Sequence, residues 1–345
     1  MGTPPTSEAE LRDALAILAE HNGNLTHASA AAGMSRGGFT DRIRKAEALK
    51  HKFAKDDAIV FPEFVSGDEE EPIDDILERL QKAHRRKKKE IEARTWFPIK
   101  ITEDKPYALM FFGDVHLGVN CDWDLLHEHI AIARQDGVYC GSIGDHTDNF
   151  PWTGKMARLW AEVDISSKTE RRLANWFLFE SGIKFLVFLL GNHDQWNGYA
   201  EFYKMLGAHY VPVIDWRAQF ALVHNNGSKV KVDAAHGRKG NSIYNPTHGT
   251  LRDAKFGENA DLYVSGHIHS FGLFEIEFSE KKQRTWLAQV SGYKIGGLYE
   301  TTNGFAQSNY GASVFAIIYP DTGRVQCFSD PKEGASYLKF LRNKD

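Results

Sequence analysis

The sequence predicts an α/β fold in which two mixed β-sheets pack together with helices outside. Five short apolar runs, each ending in Asp, Asn or His, indicate buried strands that carry polar groups at their tips. Amphipathic segments such as Trp123 to Ala133, Glu170 to Phe179 and Ala200 to Leu206 alternate with these runs. Hairpin signals follow toward the C-terminus, at Asn225-Asn226-Gly227 and Asp321-Thr322-Gly323.

The five apolar runs share one pattern, a buried strand followed by one or more polar side chains. Because a site is expected at the carboxyl ends of parallel strands, these polar groups are predicted to converge. The runs and the residues after them are Ala108 to Phe112 before Gly113-Asp114-Val115-His116, Val138 to Ile143 before Gly144-Asp145-His146-Thr147-Asp148, Phe185 to Leu190 before Gly191-Asn192-His193-Asp194, Val232 to Ala235 before His236-Gly237, and Leu262 to Ser265 before Gly266-His267-Ile268-His269.

Length and composition limit the kind of protein. With 345 residues, 42% of them hydrophobic, the chain can form one large domain and one small domain. The cysteines Cys121, Cys140 and Cys327 lack disulfide or zinc-site spacing. The 46 acidic and 42 basic residues give a net charge of −4, so nucleic-acid binding would need local patches. Without a signal peptide or an apolar run of roughly 20 residues, we expect a soluble cytoplasmic protein that binds no membrane.

The first fifty residues predict a small all-α domain. Ser7-Glu8-Ala9-Glu10 is a capping box before a helix from about residue 8 to 21. Asn24 caps a second helix to Ala32, and Gly33 makes a tight turn. Ser35 then caps a third helix that carries Phe39 and Ile43 inward.

The stretch from Asn24 to Arg36 resembles the helix-turn-helix of Fis-like and enhancer-binding regulators. The resemblance implies that residues 1–50 bind DNA through a recognition helix beginning at Ser35. The open alternative is a helical domain that packs on a protein partner. Gly37 and Gly38 weaken the third helix, and this would impair base-specific recognition of DNA more than phosphate contact. The candidate DNA-binding residues are Arg36, Arg42, Arg44 and Lys45, with Thr40 on the same helix.

Residues 51–104 are predicted to connect this domain to a catalytic domain at 105–345. The acidic run Gly67 to Pro72 indicates a linker. Ile73 begins a helix whose later turns carry the basic run His84 to Lys89, either a solvated face or a stripe that follows DNA phosphates. Trp96 to Ile101 predicts an edge strand, since Pro98 cannot lie in a central one.

The polar strand ends predict a metal centre. Carboxylates, neutral imidazoles and an amide oxygen suit manganese, iron or zinc and are too rich in nitrogen for calcium or a plain magnesium site. Two metals about 3.5 to 4 Å apart would polarise a phosphoryl group from both sides. The candidate ligands are Asp114, His116, Asp145, Asn192, His236, His267 and His269.

The ordered motifs D-x-H, G-D-x-x-D, G-N-H-D, H-G and G-H-x-H, from Gly113 to His269, resemble the calcineurin-like metallophosphoesterase superfamily. The resemblance implies a four-layer sandwich and two divalent ions, with manganese the first choice and iron, zinc, nickel or magnesium as alternatives. It implies a hydroxide activated by both metals, His193 as general acid, and Asp148 orienting the His193 ring. It places Asp114, His116, Asp145 and His269 on one metal and Asn192, His236 and His267 on the other, with Asp145 bridging.

The substrate is open within this superfamily. Asn149 and Asp194 replace residues typical of Ser/Thr protein phosphatases, which argues against a phosphoprotein. The helix-turn-helix favours a DNA phosphodiesterase, an exonuclease or endonuclease similar to SbcD-like repair exonucleases and, in architecture, to bacteriophage-encoded relatives, for which the location would be the host cytoplasm. The alternatives are a small-molecule or cyclic-nucleotide phosphodiesterase or phosphatase, and a DNA-bound adaptor with an inactive core. The oligomeric state is open, with a dimer as one option.

Overall fold

The structure, a computed structural model, describes residues 6–48, 72–93, 95–161, 163–208, 210–240, 242–296 and 310–344. The chain divides into two compact units, Met1–Gln81 and Lys82–Asp345. None of the helices within these described ranges has the length and hydropathy that a membrane span requires. The acidic linker predicted before Pro72 lies outside the described residues.

The first unit contains the three predicted helices, α1 (Glu8–Glu20), α2 (Leu25–Ala31) and α3 (Arg36–Ala48). Ser7 and Glu10 form the predicted capping box, and Asn24 accepts hydrogen bonds from the first turn of α2. Phe39 is fully buried and Ile43 is 6% exposed. The helix boundaries and the inward residues of this unit are therefore confirmed. A fourth helix, α4 (Ile73–Ala93), contains the division at Gln81, and its basic run belongs to the second unit.

Two six-stranded mixed sheets form the second unit, and they confirm the predicted α/β class. In the first sheet the strand order is β1-β6-β7-β8-β10-β9, and in the second it is β12-β11-β2-β3-β4-β5. The strands are β1 (Thr95–Lys100), β2 (Tyr107–Phe112), β3 (Val138–Ser142), β4 (Phe185–Leu190), β5 (Val213–Asp215), β6 (Arg217–Val223), β7 (Lys229–Ala235), β8 (Leu262–Ser265), β9 (Gly272–Phe278), β10 (Gln283–Gln289), β11 (Ser313–Tyr319) and β12 (Arg324–Phe328).

The pairing of the strands explains why their polar ends meet. Strands β2, β3, β4 and β5 pair in parallel in the second sheet, and β7, β8 and β10 do so in the first. Both predicted hairpins are present, since β6 pairs antiparallel with β7 and β11 with β12. The edge strand β1 pairs with β6, so residues 95–100 belong to this sheet although the sequence places them in the connector.

Hydrophobic clusters separate four layers. One cluster lies between the sheets and takes Leu109 and Phe111 from one sheet and Phe220 and Val232 from the other. A second packs helices on the opposite face of β2 to β4, and a smaller third packs α10 on β8 and β10. The helices of this unit are α5 (Trp123–Ala133), α6 (Ala157–Trp160), α7 (Ser167–Asn175) continued by a π-helix (Trp176–Glu180), α8 (Asn192–Gln195), α9 (Tyr199–Gly207), α10 (His248–Phe256) and α11 (Pro331–Arg342).

Candidate metal centre

The loops that follow β2, β3, β4, β7 and β8 bring the predicted site residues together. Four of these residues have left-handed backbone conformations: His116 (φ 46°), Asp145 (φ 50°), His267 (φ 72°) and His269 (φ 45°). Each such conformation costs about 1 to 3 kcal/mol for a residue with a side chain and is kept mainly where a function requires it. The backbone of this region is therefore arranged for the site at some cost in stability.

Close approach of the loops depends on small residues. A Cβ on Gly266 would lie 2.6 Å from Asp114 Oδ1, and one on Gly191 would overlap the carboxylate of Asp145. Glycine at these two positions is what allows the carboxylates to lie directly against neighbouring backbone. The motif glycines thus serve the geometry of the centre.

The first cluster, which we call the Asp114 group, consists of Asp114, His116 and His269. Their ligand atoms all lie within 4.8 Å of one another. His269 Nε2 is 3.2 Å from Asp114 Oδ2, which also accepts a hydrogen bond from the backbone N–H of His267 at 2.8 Å. His116 Nδ1 is 2.9 Å from Asp148 Oδ1, so the ring directs Nε2 toward the cluster.

The second cluster, the Asp145 group, consists of Asp145, His236 and His267, again with ligand atoms within 4.8 Å. His236 Nε2 lies 3.3 Å from Asp145 Oδ2 and 3.0 Å from Asn192 Oδ1. His267 Nδ1 lies 3.1 Å from the same His236 nitrogen. His236 Nδ1, 3.7 Å from Asp114 Oδ1, places the two groups side by side.

The electrostatic state of the buried groups points to a cation. Burial disfavours a charged His236 ring, but the carboxylates of Asp145 and Asp114 outweigh burial and raise its pKa to about 9. Burial would raise the pKa of Asp145, yet His236 and His193 hold it well below the usual value. Positive charge is thus strongly favoured beside these two carboxylates.

The residues present fit a divalent metal. Within the described part of the chain, Asp114 Oδ1 and His116 Nε2 are buried without a hydrogen-bond partner. A buried lone pair without a partner costs free energy, which a metal ion would offset. Burial also lowers the pKa of His116, which keeps the ring neutral as a ligand must be. Oxygen and imidazole nitrogen together suit a first-row transition ion.

His193 lies at the edge of both groups. Its Nε2 is 4.0 Å from Asp145 Oδ2, and its Nδ1 contacts the backbone carbonyl oxygen of Asp148. Asn149 donates hydrogen bonds to the carbonyl oxygens of His193 and Trp196, at 2.7 and 2.9 Å, and so fixes the loop. Asp148 therefore contacts the His193 ring through its main chain, while its carboxylate contacts His116.

A pocket of about 520 Å³ opens onto this centre. The ring of Trp196 lies 4.5 Å from the His193 ring, and that of Phe150 lies 5.0 Å from it. Met156, Leu159 and Ile243 add further apolar surface. A substrate that enters beside His193 therefore meets a largely apolar, partly aromatic wall.

Sequence reasoning missed several residues of the site. In the sequence Asp194 is only the last residue of a motif, yet its buried carboxylate accepts hydrogen bonds from the backbone N–H groups of Gly191 at 2.8 Å and Asp145 at 2.7 Å. Trp216 packs edge-on against His236, and Lys294 lines the pocket. No local pattern marks Trp216 or Lys294, because their positions depend on contacts distant in sequence.

The four candidate DNA-binding residues lie on α3, in the first unit. Arg44 and Lys45 form ion pairs with Asp41, at 2.6 and 2.9 Å. Arg42 lies 3.7 Å from Glu10, and Arg36 is exposed at the start of the helix. The Arg44 side chain is 79% exposed, so its pair with Asp41 is accessible to solvent.

Fold and site together define a mixed α/β protein with a centre suited to divalent cations. No protein-family model and no curated protein sequence matches the chain. Among solved structures, it is similar to a conserved uncharacterized protein of Streptococcus pneumoniae described as a predicted phosphoesterase, with 13% identity over 65% of this chain and 97% of that one and a TM-score of 0.31. Vacuolar protein sorting 29 of Cryptosporidium parvum shares 12% identity over 65% of this chain and 97% of its own, with a TM-score of 0.36. A single mutant of Vps29 from Entamoeba histolytica shares 9% identity over 64% of this chain and 97% of its own, with a TM-score of 0.32.

Proposed function

We propose that this protein is a metal-dependent phosphodiesterase that hydrolyses DNA, a nuclease. The observation that carries the proposal is the pair of adjoining carboxylate and imidazole groups, in which Asp114 Oδ1 and His116 Nε2 are buried without a partner in the described part of the chain. His193 at their edge adds a group that can move a proton. This combination suits hydrolysis of a phosphate ester.

Two divalent ions, manganese by preference, are proposed as cofactors. One would be held by the Asp114 group together with Asp145, and the other by the Asp145 group together with Asn192. When bound, such ions neutralise charge on phosphoryl oxygens and lower the pKa of water.

In the proposed reaction His193 is the general acid. Its Nδ1 contact to the Asp148 carbonyl and the bonds from Asn149 fix the ring with Nε2 toward Asp145. A water molecule loses one proton to solvent, a new bond forms between its oxygen and phosphorus, and the bond from phosphorus to the leaving oxygen breaks. Nε2 gives its proton to that leaving oxygen and regains one from solvent. Phe150 and Trp196 exclude bulk water from one side of the ring.

DNA is the proposed substrate for two reasons. The aromatic wall beside His193 can take a planar nucleoside on the leaving-group side. The first unit has three helices whose sequence resembles a helix-turn-helix, and α3 carries Arg36, Arg42, Arg44 and Lys45, which are proposed to contact phosphates.

The test uses the full-length protein with labelled single-stranded and double-stranded DNA. We expect nucleotide release or nicking with Mn²⁺, none after metal removal, and losses of more than about 100-fold in His193→Ala and Asp145→Ala. His127→Ala, an exposed histidine on α5, is the control and should keep full activity. Equal activity in all four proteins would reject the proposal.

A second candidate function is hydrolysis of a small phosphodiester such as a cyclic nucleotide. It is favoured by the same pocket, whose volume of about 520 Å³ is that of a small-molecule site. Turnover of cyclic nucleotide and bis-nitrophenyl phosphate without any action on DNA would support it. DNA binding without metal binding in calorimetry would instead indicate an adaptor with an inactive core.

The proposed role of the first unit in DNA binding can be tested by removing one positive charge from α3. Arg44→Gln should weaken binding of DNA and reduce its dependence on salt. Arg284→Gln is the matched control, since Arg284 is 72% exposed and pairs with Glu277 much as Arg44 pairs with Asp41. Equal effects of the two changes would argue against DNA binding through α3.

A further inference from the structure

A lysine outside every motif forms part of the pocket wall. The side chain of Lys294 is only 5% exposed. Its Nζ lies 2.8 Å from Asp148 Oδ1 and 5.0 Å from the centre of the Phe150 ring. Because removing an ammonium group from water costs several kcal/mol unless it is well paired, a buried lysine here calls for a reason.

The backbone around Lys294 is fixed against the site. The N–H of Tyr293 donates to the carbonyl oxygen of Asp114 at 2.8 Å, and the N–H of Ile295 donates to that of Asn120 at 2.7 Å. Gly292 has a φ of 106°, and a Cβ there would lie 2.7 Å from the Asp114 carbonyl oxygen. The segment can therefore pass the Asp114 group only because Gly292 has no side chain. The backbone hydrogen bonds of the residues before and after Lys294 thus fix its position.

The contacts of Asp148 show how the ammonium group is held. Asp148 Oδ1 is shared by His116 Nδ1 at 2.9 Å and Lys294 Nζ at 2.8 Å. Burial opposes the charge on Asp148, but His116 and Lys294 outweigh burial and lower its pKa. The hydrogen bond between His116 and Asp148 does not involve the lysine. The lysine thus adds a positive charge at the pocket wall that orientation of His116 does not require.

We propose that Lys294 is an anion-binding residue of the pocket, held by Asp148 so that its ammonium group contacts a non-bridging phosphoryl oxygen. The inference rests on the proposed phosphoesterase function and specifies what recognises the phosphoryl group. His116, His193 and Lys294 line the same pocket, so an anion beside both histidines lies within range of the lysine. Phe150 covers the ammonium group and limits its hydration, which strengthens attraction to an anion.

The experiment compares full-length Lys294→Met and Lys294→Arg with the wild type, using inorganic phosphate as the probe. Phosphate binding is measured by calorimetry on the Mn²⁺-loaded protein and, separately, as inhibition of turnover. Mn²⁺ binding is measured by calorimetry on the metal-free protein. Lys294→Met should weaken phosphate binding about 10- to 100-fold, the effect of one charged hydrogen bond, and leave Mn²⁺ affinity within about threefold. Lys294→Arg should restore most of the phosphate affinity.

The control is Lys231→Met, since Lys231 lies 4.7 Å from the Trp96 ring and lines no part of this pocket. Unchanged phosphate affinity in Lys294→Met would overturn the proposal. A loss of Mn²⁺ affinity as large as the loss of phosphate affinity would also overturn it, because that result would show that Lys294 acts by positioning Asp148. Failure of both Lys294 variants and of Lys294→Gln to fold, judged by circular dichroism, would assign the lysine to stability and also overturn it. If the wild type cleaves no phosphodiester, the proposed function fails, while the calorimetric titration still decides the role of Lys294.

Discussion

The Asp114 group and the Asp145 group adjoin each other but are held in different ways. In the first, His116 is 2% exposed and its ring is fixed by a carboxylate that a lysine also contacts. In the second, His267 is exposed, and the Trp216 ring lies 5.0 Å from that of His236. His116 of the first group is therefore supported by buried charged partners, whereas the second group includes an exposed histidine and packs its buried His236 against a tryptophan that is 41% exposed.

Each group contains one histidine whose pKa is raised and one whose pKa is lowered. Burial lowers the pKa of His116, so its ring is neutral and its Nε2 can accept a metal without losing a proton. Burial acts the same way on His236, but the carboxylates of Asp145 and Asp114 prevail and raise its pKa to about 9. Burial likewise lowers the pKa of His267, whereas Asp114 raises that of His269 against the effect of burial, so a cation that enters either group must replace a proton.

Asp145 is the residue whose loss should affect both groups. Its Oδ1 accepts the N–H of His193 at 2.9 Å, and its Oδ2 lies 3.3 Å from His236 Nε2. Asp145→Asn removes a charge next to both groups and should lower kcat/KM about 10⁴-fold, the largest effect expected. Steady-state kinetics with Mn²⁺ measure it, and exposed Asp215→Asn is the control. A variant that kept a tenth of the activity would show that the carboxylate does not join the groups.

His193 adjoins both groups and belongs to neither. His193→Gln should lower kcat about 10³-fold on DNA, whose leaving alkoxide needs a proton. With bis-nitrophenyl phosphate the loss should be below about tenfold, since a nitrophenolate leaves without one. Parallel kinetics on the two substrates supply the measurement. Equal losses on both would assign His193 to binding instead of proton transfer.

The sequence predicts the strands and the clustered side chains well because both are encoded locally. Apolar runs that end in glycine and a polar residue define β2, β3, β4, β7 and β8, and the parallel pairing of most of them brings their ends together. Pairing of β1 with β6 was not predictable in this way, since strands far apart in sequence carry no shared local signal. The strand itself is present at residues 95–100, as its sequence predicts, and it pairs with β6 at the edge of the first sheet.

The contacts that support the site residues are likewise not predictable from local sequence. Motif resemblance implies that Asp148 orients the His193 ring, and it gives no sign that the Asp148 carboxylate also holds His116 and Lys294. Lys294 reaches Asp148 because residues 294 and 121 form an isolated antiparallel bridge. Such a bridge between two loops leaves no pattern in composition or periodicity. Motif order can thus identify ligands, while their supporting partners depend on tertiary structure.

Asp148 tests whether the Asp114 group depends on its buried partner. Asp148→Asn keeps the shape but removes the charge that orients His116, so Mn²⁺ affinity should fall about 10- to 100-fold, the usual cost of losing such a partner. Calorimetric titration of the metal-free protein would show the loss in one of two binding steps. The control is Glu170→Gln. Glu170 is another buried carboxylate, it contacts Asn149 and Tyr199 and neither of the two groups, and its substitution should leave both binding steps unchanged. Equal weakening of both steps would mean that the groups are not separately supported.

Trp216 is the corresponding support of the Asp145 group, and its effect should be the smallest. Its Nε1 donates to the Gly237 carbonyl oxygen at 3.0 Å, and its ring faces His236 and His267 from a side chain that is 41% exposed. Trp216→Phe keeps an aromatic ring but loses this hydrogen bond, so Mn²⁺ affinity should fall about fivefold, which corresponds to about 1 kcal/mol. The same titration measures it, with the exposed Trp160→Phe as control. Because packing at a solvent boundary can adjust where a buried ion pair cannot, a loss as large as that of Asp148→Asn would contradict the distinction between the two groups.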